Sequence, residues 1–134
     1  MTNRPQLVIA THGFLAESLA ETSKMIIGEQ AHLHVICLKA GMNLSIYQQN
    51  LKEIVEQYIE HGVLVMVDLL GGTPFNTLIS LLEDERVSFV TGVNLPMLLD
   101  ILAQPDTASL QEMTEIAQRV GQEGIKSKKD FLQI

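Results

Sequence analysis

Five consecutive apolar residues, Val63-Leu64-Val65-Met66-Val67, place the tightest limit on how this chain folds. A strand with one wet face alternates apolar and polar side chains. A strand without that alternation is covered on both faces, and the usual cover is a layer of helices on each side of a parallel sheet. The run ends on Asp68 and leads through Leu69-Leu70-Gly71-Gly72-Thr73-Pro74-Phe75-Asn76 into a helical pattern. A second apolar run, Leu7-Val8-Ile9-Ala10-Thr11, ends on His12-Gly13 and also leads into a helical pattern. In open sheets of this kind functional groups gather outside the carboxyl ends of the strands. His12 and Asp68 are therefore expected to meet there.

The rest of the chain repeats this alternation. A strand over about 6–11 precedes a helix over about 14–27, with Leu15, Leu19, Thr22 and Ile26 at helical spacing and Gly28 as its stop. Residues 32–38 alternate as a strand, with His32, His34 and Ile36 on one face and Leu33, Val35 and Cys37 on the other. Asn43 caps a second helix whose stripe is Tyr47, Leu51, Ile54, Val55 and Tyr58, and His61-Gly62 closes it. After the central strand, Thr73-Pro74 reads as a cap followed by a first-turn proline, with Phe75, Leu78, Ile79 and Leu82 as the buried side of that helix. A strand over 87–90 leads to Asn94 and Pro96 at the head of a helix reaching about residue 103. Ser109 and Glu112 form a capping box for a last helix with Leu110, Met113, Ala117 and Val120 inward, and the tail 125–134 reads as a short strand. This order predicts a single α/β domain, 1–134, built on one doubly wound, mostly parallel sheet with helices on both faces.

Composition narrows the function classes. With 46% hydrophobic and 19% charged residues the chain is an ordinary globular protein that needs neither disulfide nor metal for stability. A net charge of −7 argues against nucleic acid as a partner. The first residues carry no signal-peptide pattern and no apolar run approaches the length that spans a bilayer, so a cytoplasmic protein without membrane insertion is expected. Cys37 stands alone inside a strand pattern and reads as a buried structural thiol.

The two strand ends carry recognisable chemistry. An imidazole is largely uncharged near neutral pH, so one ring nitrogen offers a lone pair, and a carboxylate bonded to the other nitrogen fixes the tautomer and stabilises the cation formed on attack. Backbone N–H groups from Gly13 onward are candidates to receive an anionic group. Gly71 and Gly72 permit close approach of backbone to a phosphoryl group, and the Thr73 hydroxyl is a further candidate donor. The turn has no Walker lysine and no Gly-x-Gly-x-x-Gly spacing, so nucleotide binding is not indicated. No arginine or lysine is expected near these loops. On the residues alone, the plainer reading stays open: His12 as a structural strand-end residue and Asp68 as a turn former or cap. His32 and His34 lack the further ligands of a metal site, and neither metal nor cofactor is expected. His61 reads as a helix-end residue.

Three segments together resemble a known family: Val8-Ile9-Ala10-Thr11-His12-Gly13, Asp68 to Asn76, and Thr91-Gly92-Val93-Asn94-Leu95-Pro96-Met97, in that order and spacing. They are similar to the mannose-family enzyme IIA of the bacterial phosphoenolpyruvate:sugar phosphotransferase system, which includes mannose, fructose, sorbose and N-acetylgalactosamine types. The resemblance spans essentially the whole chain. It implies a cytoplasmic phosphocarrier in which His12 matches the histidine that accepts a phosphoryl group from phospho-HPr and passes it to the IIB component, working with the membrane subunits IIC and IID. It also implies that Asp68 orients that histidine, that Gly71, Gly72 and Thr73 surround the phosphoryl group, and that residues 94–97 shape the site. Phe14, Leu69, Leu70 and Pro74 are the expected docking rim for both partners. The family forms homodimers in which a C-terminal strand completes the sheet of the other subunit, and 125–134 is the candidate segment; IIB is expected on a separate chain. Rival readings are a phosphorylation-dependent regulatory module, the phosphoryl-transfer subunit of a dihydroxyacetone kinase, and a small hydrolase using His12 and Asp68. The sugar is not written in this chain.

Overall fold

A computed structural model describes residues 4–133. Four parallel strands, β1 (Gln6–His12), β2 (Leu33–Leu38), β3 (Val63–Val67) and β4 (Val87–Val90), lie in the order β2-β1-β3-β4. The chain therefore leaves β1 toward one side of the sheet for β2 and returns to the other side for β3. The switch point falls between β1 and β3, where a parallel α/β sheet opens a crevice at its carboxyl edge. The β1–β3 pairing ends at Ala10 with Val67, so Asp68 directly follows the last paired residue of β3, and His12, paired with Leu38 of β2, ends β1 beside it.

Residue parity sorts the two core layers. Leu7, Ile9, Leu64 and Met66 face α1 (Leu15–Ile27), α4 (Leu95–Leu102) and α5 (Leu110–Glu123), burying Ala16, Leu98, Ile101, Met113 and Ala117. Val8, Ala10, Val63, Val65 and Val67 face α2 (Leu44–Gln57) and α3 (Gly72–Leu78), burying Tyr47, Leu51, Val55 and Leu78. All five residues of β3 are buried, as the unbroken apolar run requires. Asn43 accepts from the Ile46 N–H, Asn94 from the Met97 N–H, and Ser109 with Glu112 completes both halves of a capping box. These three starts lie where the side-chain chemistry puts them.

Three expectations are corrected. In α1 the inward residues are Ala16 and Ser23, with Leu19 only partly buried, while Leu15 and Ile26 are exposed. Small side chains let this helix lie close on the sheet, which turns the larger ones outward. The helix after β3 is capped by Gly71 and begins at Gly72, so Thr73 is its second residue and not its cap; after Leu78 it tightens into a 3₁₀ turn, Ile79–Leu81, which leaves Ile79 exposed. The tail does not continue as a strand. Ser127 and Asp130 form a reciprocal capping box, and Lys128–Leu132 is a short helix, α6. Ile134, the last residue of the expected tail strand, and residues 1–3 lie outside the described residues.

Candidate functional site

β1 ends by placing His12 on the α2/α3 side of the sheet, and β3 ends by placing Asp68 beside it. Both hydrogen-bond donors of His12 converge on one oxygen: its backbone N–H donates to Asp68 Oδ2 at 3.0 Å and its Nδ1 lies 2.9 Å from the same atom. An ionised carboxylate can only accept, so Nδ1 carries the ring hydrogen and Nε2 keeps the lone pair. The other carboxylate oxygen, Oδ1, accepts from the Leu69 N–H at 3.1 Å. Asp68 is thus held by backbone on both sides. The Asp68 side chain is 13% exposed and the His12 side chain 43%, so the ring is the more accessible of the two.

Gly72 closes one side of that ring. A Cβ at this position would stand 3.0 Å from His12 Cε1 and 3.4 Å from Nε2, and φ is +80°, so both space and backbone conformation call for glycine. Gly71 has φ +81° and caps α3 with no side-chain hydrogen bond, leaving the first N–H groups of the helix without an intrahelical partner. Thr73 lies in this first turn, half-buried; its carbonyl accepts from Thr77 Oγ1 at 2.7 Å.

Other sites of the sequence reading are placed differently. The Gly13 N–H donates to the Leu38 carbonyl at 2.8 Å, extending the β1–β2 ladder, so this amide is already engaged and does not face an incoming anion. Phe14, Leu69 and Leu70 are 62%, 58% and 75% exposed and form an apolar rim, but Pro74 is buried against the core and drops out of it. A cation does stand at this end of the molecule: Lys39 Nζ lies 4.9 Å from the Phe14 ring centroid and 3.1 Å from Glu17 Oε1. Lys39 directly follows the strand residue that pairs with His12, a neighbour in space that a reading of the His12 and Asp68 loops alone does not reach.

Thr11, also passed over in the sequence, is fully buried and accepts from the Ala16 N–H at 2.8 Å, tying the start of α1 to the end of β1. The signal was a hydroxyl residue at a strand-to-helix junction. His34 Nε2 lies 2.9 Å from Gln6 Oε1 and its ring stacks on Tyr58, so it serves packing at the opposite end of the strands. Burial, then the positive charge of Arg4, pushes His32 down to about 4. Asn94 donates from Nδ2 to the Gly121 carbonyl at 3.0 Å while capping α4, which pins the head of that helix to α5. Among the described residues no three His, Cys, Asp or Glu side chains come together in a way that would hold a metal ion.

The fold and the pair define a class first: a doubly wound α/β domain whose switch point holds a histidine oriented through Nδ1 by a carboxylate. Residues 6–118 match the family model described as PTS system fructose IIA component. The chain is 35% identical over 126 residues to the mannose-specific EIIAB component of Escherichia coli K12, covering 92% of this chain and 39% of that protein. It therefore spans about two fifths of the length of that relative. It is 33% identical to the fructose-specific EIIA component of Bacillus subtilis over 95% of this chain and 88% of that one. Among solved structures, the PTS IIA protein associated with the fucose utilization operon of Streptococcus pneumoniae superimposes with a TM-score of 0.85 at 28% identity, over 96% of each chain. The chain belongs to the mannose/fructose IIA family of the phosphotransferase system. No described helix is long and apolar enough to cross a membrane.

Proposed function

We propose that this chain is a phosphohistidine carrier in the cytoplasm, taking a phosphoryl group from phospho-HPr on His12 Nε2 and handing it to a IIB component that works with membrane IIC and IID subunits. The observation that carries the reading is the 2.9 Å contact of His12 Nδ1 with Asp68 Oδ2, which leaves Nε2 as the free lone pair on an accessible ring. In the forward step Nε2 attacks phosphorus in line, the bond from phosphorus to the donor nitrogen breaks, and that electron pair returns to the donor. Positive charge builds on the His12 ring and Asp68 stabilises it through the Nδ1 hydrogen. Gly72 admits the phosphoryl group beside the ring, and the amides and hydroxyl of the Gly71-Gly72-Thr73 turn are the candidate donors to its oxygens. Neither metal nor cofactor is required.

Phe14, Leu69 and Leu70 form the apolar docking rim, with the Lys39–Glu17 ion pair at its edge. Because the group must move on, weak backbone and hydroxyl donors suit the task better than a cluster of arginines. The same reading includes a homodimer and leaves the choice of sugar to the other components. The test is intact mass after incubation with phosphoenolpyruvate, enzyme I and HPr, with wild type beside His12→Ala. One added phosphoryl group on the wild type alone is expected; addition to the His12→Ala variant, or none to wild type when HPr is itself phosphorylated, overturns the assignment.

A further inference from the structure

One buried polar group in the layer under the site has no role so far. Tyr47 lies in the first turns of α2, and its side chain is fully buried in the core layer that contains Ala10 and Val67. Those two residues pair with each other across β1 and β3, two positions before His12 and one before Asp68. The Tyr47 hydroxyl is sealed from solvent and makes no hydrogen bond within the described residues. Phenylalanine would fill nearly the same volume without leaving a donor unmatched, so a hydroxyl kept here calls for a partner. The charge nearest in effect is that of Asp68: burial raises the Tyr47 phenol above its ordinary pKa, and Asp68, then Cys37, add to the rise. Asp68 has acceptor capacity to spare, since Oδ2 takes both His12 donors while Oδ1 takes only the Leu69 N–H.

We propose that Tyr47 is a positioning residue for the His12–Asp68 pair, its hydroxyl acting as the reserve donor to Asp68 Oδ1. No direct hydrogen bond joins the two groups in the structure, so the contact requires a rotation of Asp68 or one bridging water. When positive charge develops on the imidazole, the Nδ1 hydrogen is drawn toward Asp68. A phenol donating to the same carboxylate lowers its proton affinity, so the hydrogen stays on Nδ1 and the ring remains a good leaving group for the onward step. The nearby pair of Lys39 and Glu17 neutralise each other at 3.1 Å and are untouched by a change at Tyr47.

The test is Tyr47→Phe, followed by NMR titration of His12, by phosphoryl acceptance and onward transfer, and by thermal melting. Without the phenol Asp68 pulls harder on the imidazolium, so the His12 midpoint should rise relative to wild type. Onward transfer to IIB, the step that needs the ring as a leaving group, should slow several-fold while acceptance holds or quickens, and the melting temperature should hold or rise because an unmatched hydroxyl is gone. An unchanged His12 midpoint would reduce Tyr47 to core filler. Should the variant fail to fold, the wild-type Tyr47 ring carbon bearing the hydroxyl serves instead: its chemical shift should move when Asp68→Asn is introduced, and a static shift overturns the proposal. The acceptance and transfer arms rest on the function proposed above, whereas the titration and chemical-shift arms do not, so the two ideas fail separately.

Discussion

At the scale of single residues the pair at the switch point is sensitive to which nitrogen holds a hydrogen. Asp68→Asn keeps the shape of the side chain but offers an amide that can donate toward Nδ1, which favours the hydrogen on Nε2 and removes the outward lone pair. Where the same substitution has been made in a histidine–aspartate pair of a serine protease, the rate falls by roughly 10⁴. Here the attack is on phosphorus and no second nucleophile must be activated, so a loss on the order of 10²-fold to 10⁴-fold is expected in rapid-quench measurements of phosphoryl acceptance. A rate within threefold of wild type, as about 0.7 kcal/mol, would remove the orienting role. Gly72→Ala tests the other side of the ring. With its Cβ 3.0 Å from His12 Cε1 at φ +80°, the alanine should lower stability by about 1–2 kcal/mol in urea unfolding and slow acceptance as well.

His32 belongs to the same scale but to the opposite end of the strands. Its buried Nε2 has no hydrogen-bond partner among the described residues, and burial followed by Arg4 holds its pKa at about 4, below the ordinary 6.5. A base whose folded pKa is depressed binds fewer protons folded than unfolded. Stability is therefore complete above about pH 6.5 and falls as pH drops toward 4, the stretch over which the unfolded chain takes up the proton first. The effect should reach about 2 kcal/mol after allowing for partial solvent access, and His32→Asn should flatten that part of the curve. Urea midpoints at pH 7 and pH 4.5 for both proteins decide it: an equal acid loss in the variant would place the liability elsewhere.

At the scale of elements, α1 separates pattern from packing. Ser23 is buried, with its hydroxyl donating to the Ala20 carbonyl at 2.8 Å, while Met25 on the same helix is 81% exposed. Ser23→Leu should overpack the close helix–sheet contact and destabilise by about 1–3 kcal/mol. Met25→Gln should move stability by less than about 0.5 kcal/mol in the same urea series, and the reverse order would restore the stripe that hydrophobicity alone suggests. The strands and the side-chain-capped helices were legible because their causes are local: an unbroken apolar run at 63–67, Asn43, Asn94, Ser109 with Glu112. The face of α1 was not, since small residues at 16 and 23 win by permitting close approach, a property of the neighbour as much as of the helix. For the site, chain order and strand ends brought His12 to Asp68. The engaged Gly13 amide, buried Pro74 and nearby Lys39 depend on which strands lie side by side, information that no local pattern holds.

At the scale of the whole molecule the outer edge of β4 and the tail pose one linked question. β4 is the last strand of the sheet, and beside it a cleft of about 470 Å³ is lined by Phe89, Met97, Gly121 and Ile125 among others. An open strand edge is a template for pairing, and an apolar cleft next to it gives a pairing segment somewhere to bury side chains. The tail supplies Ile125, Phe131 and Leu132, all strongly exposed in the single chain. Charge favours the match. Residues 125–134 carry three lysines and one aspartate, a net of +2, so the remaining residues account for −9 of the total −7. In the proposed homodimer the tail of one protomer therefore meets an acidic body on the other, and α6, held by little more than its Ser127–Asp130 box, would give up few contacts in opening. Sedimentation velocity should find the full chain dimeric at micromolar concentration, less so at high salt, and monomeric after removal of 125–134 with the fold retained by circular dichroism. A full chain that stays monomeric, or a truncated chain that still dimerises, would move the interface away from β4 and leave α6 as the resting state of the tail.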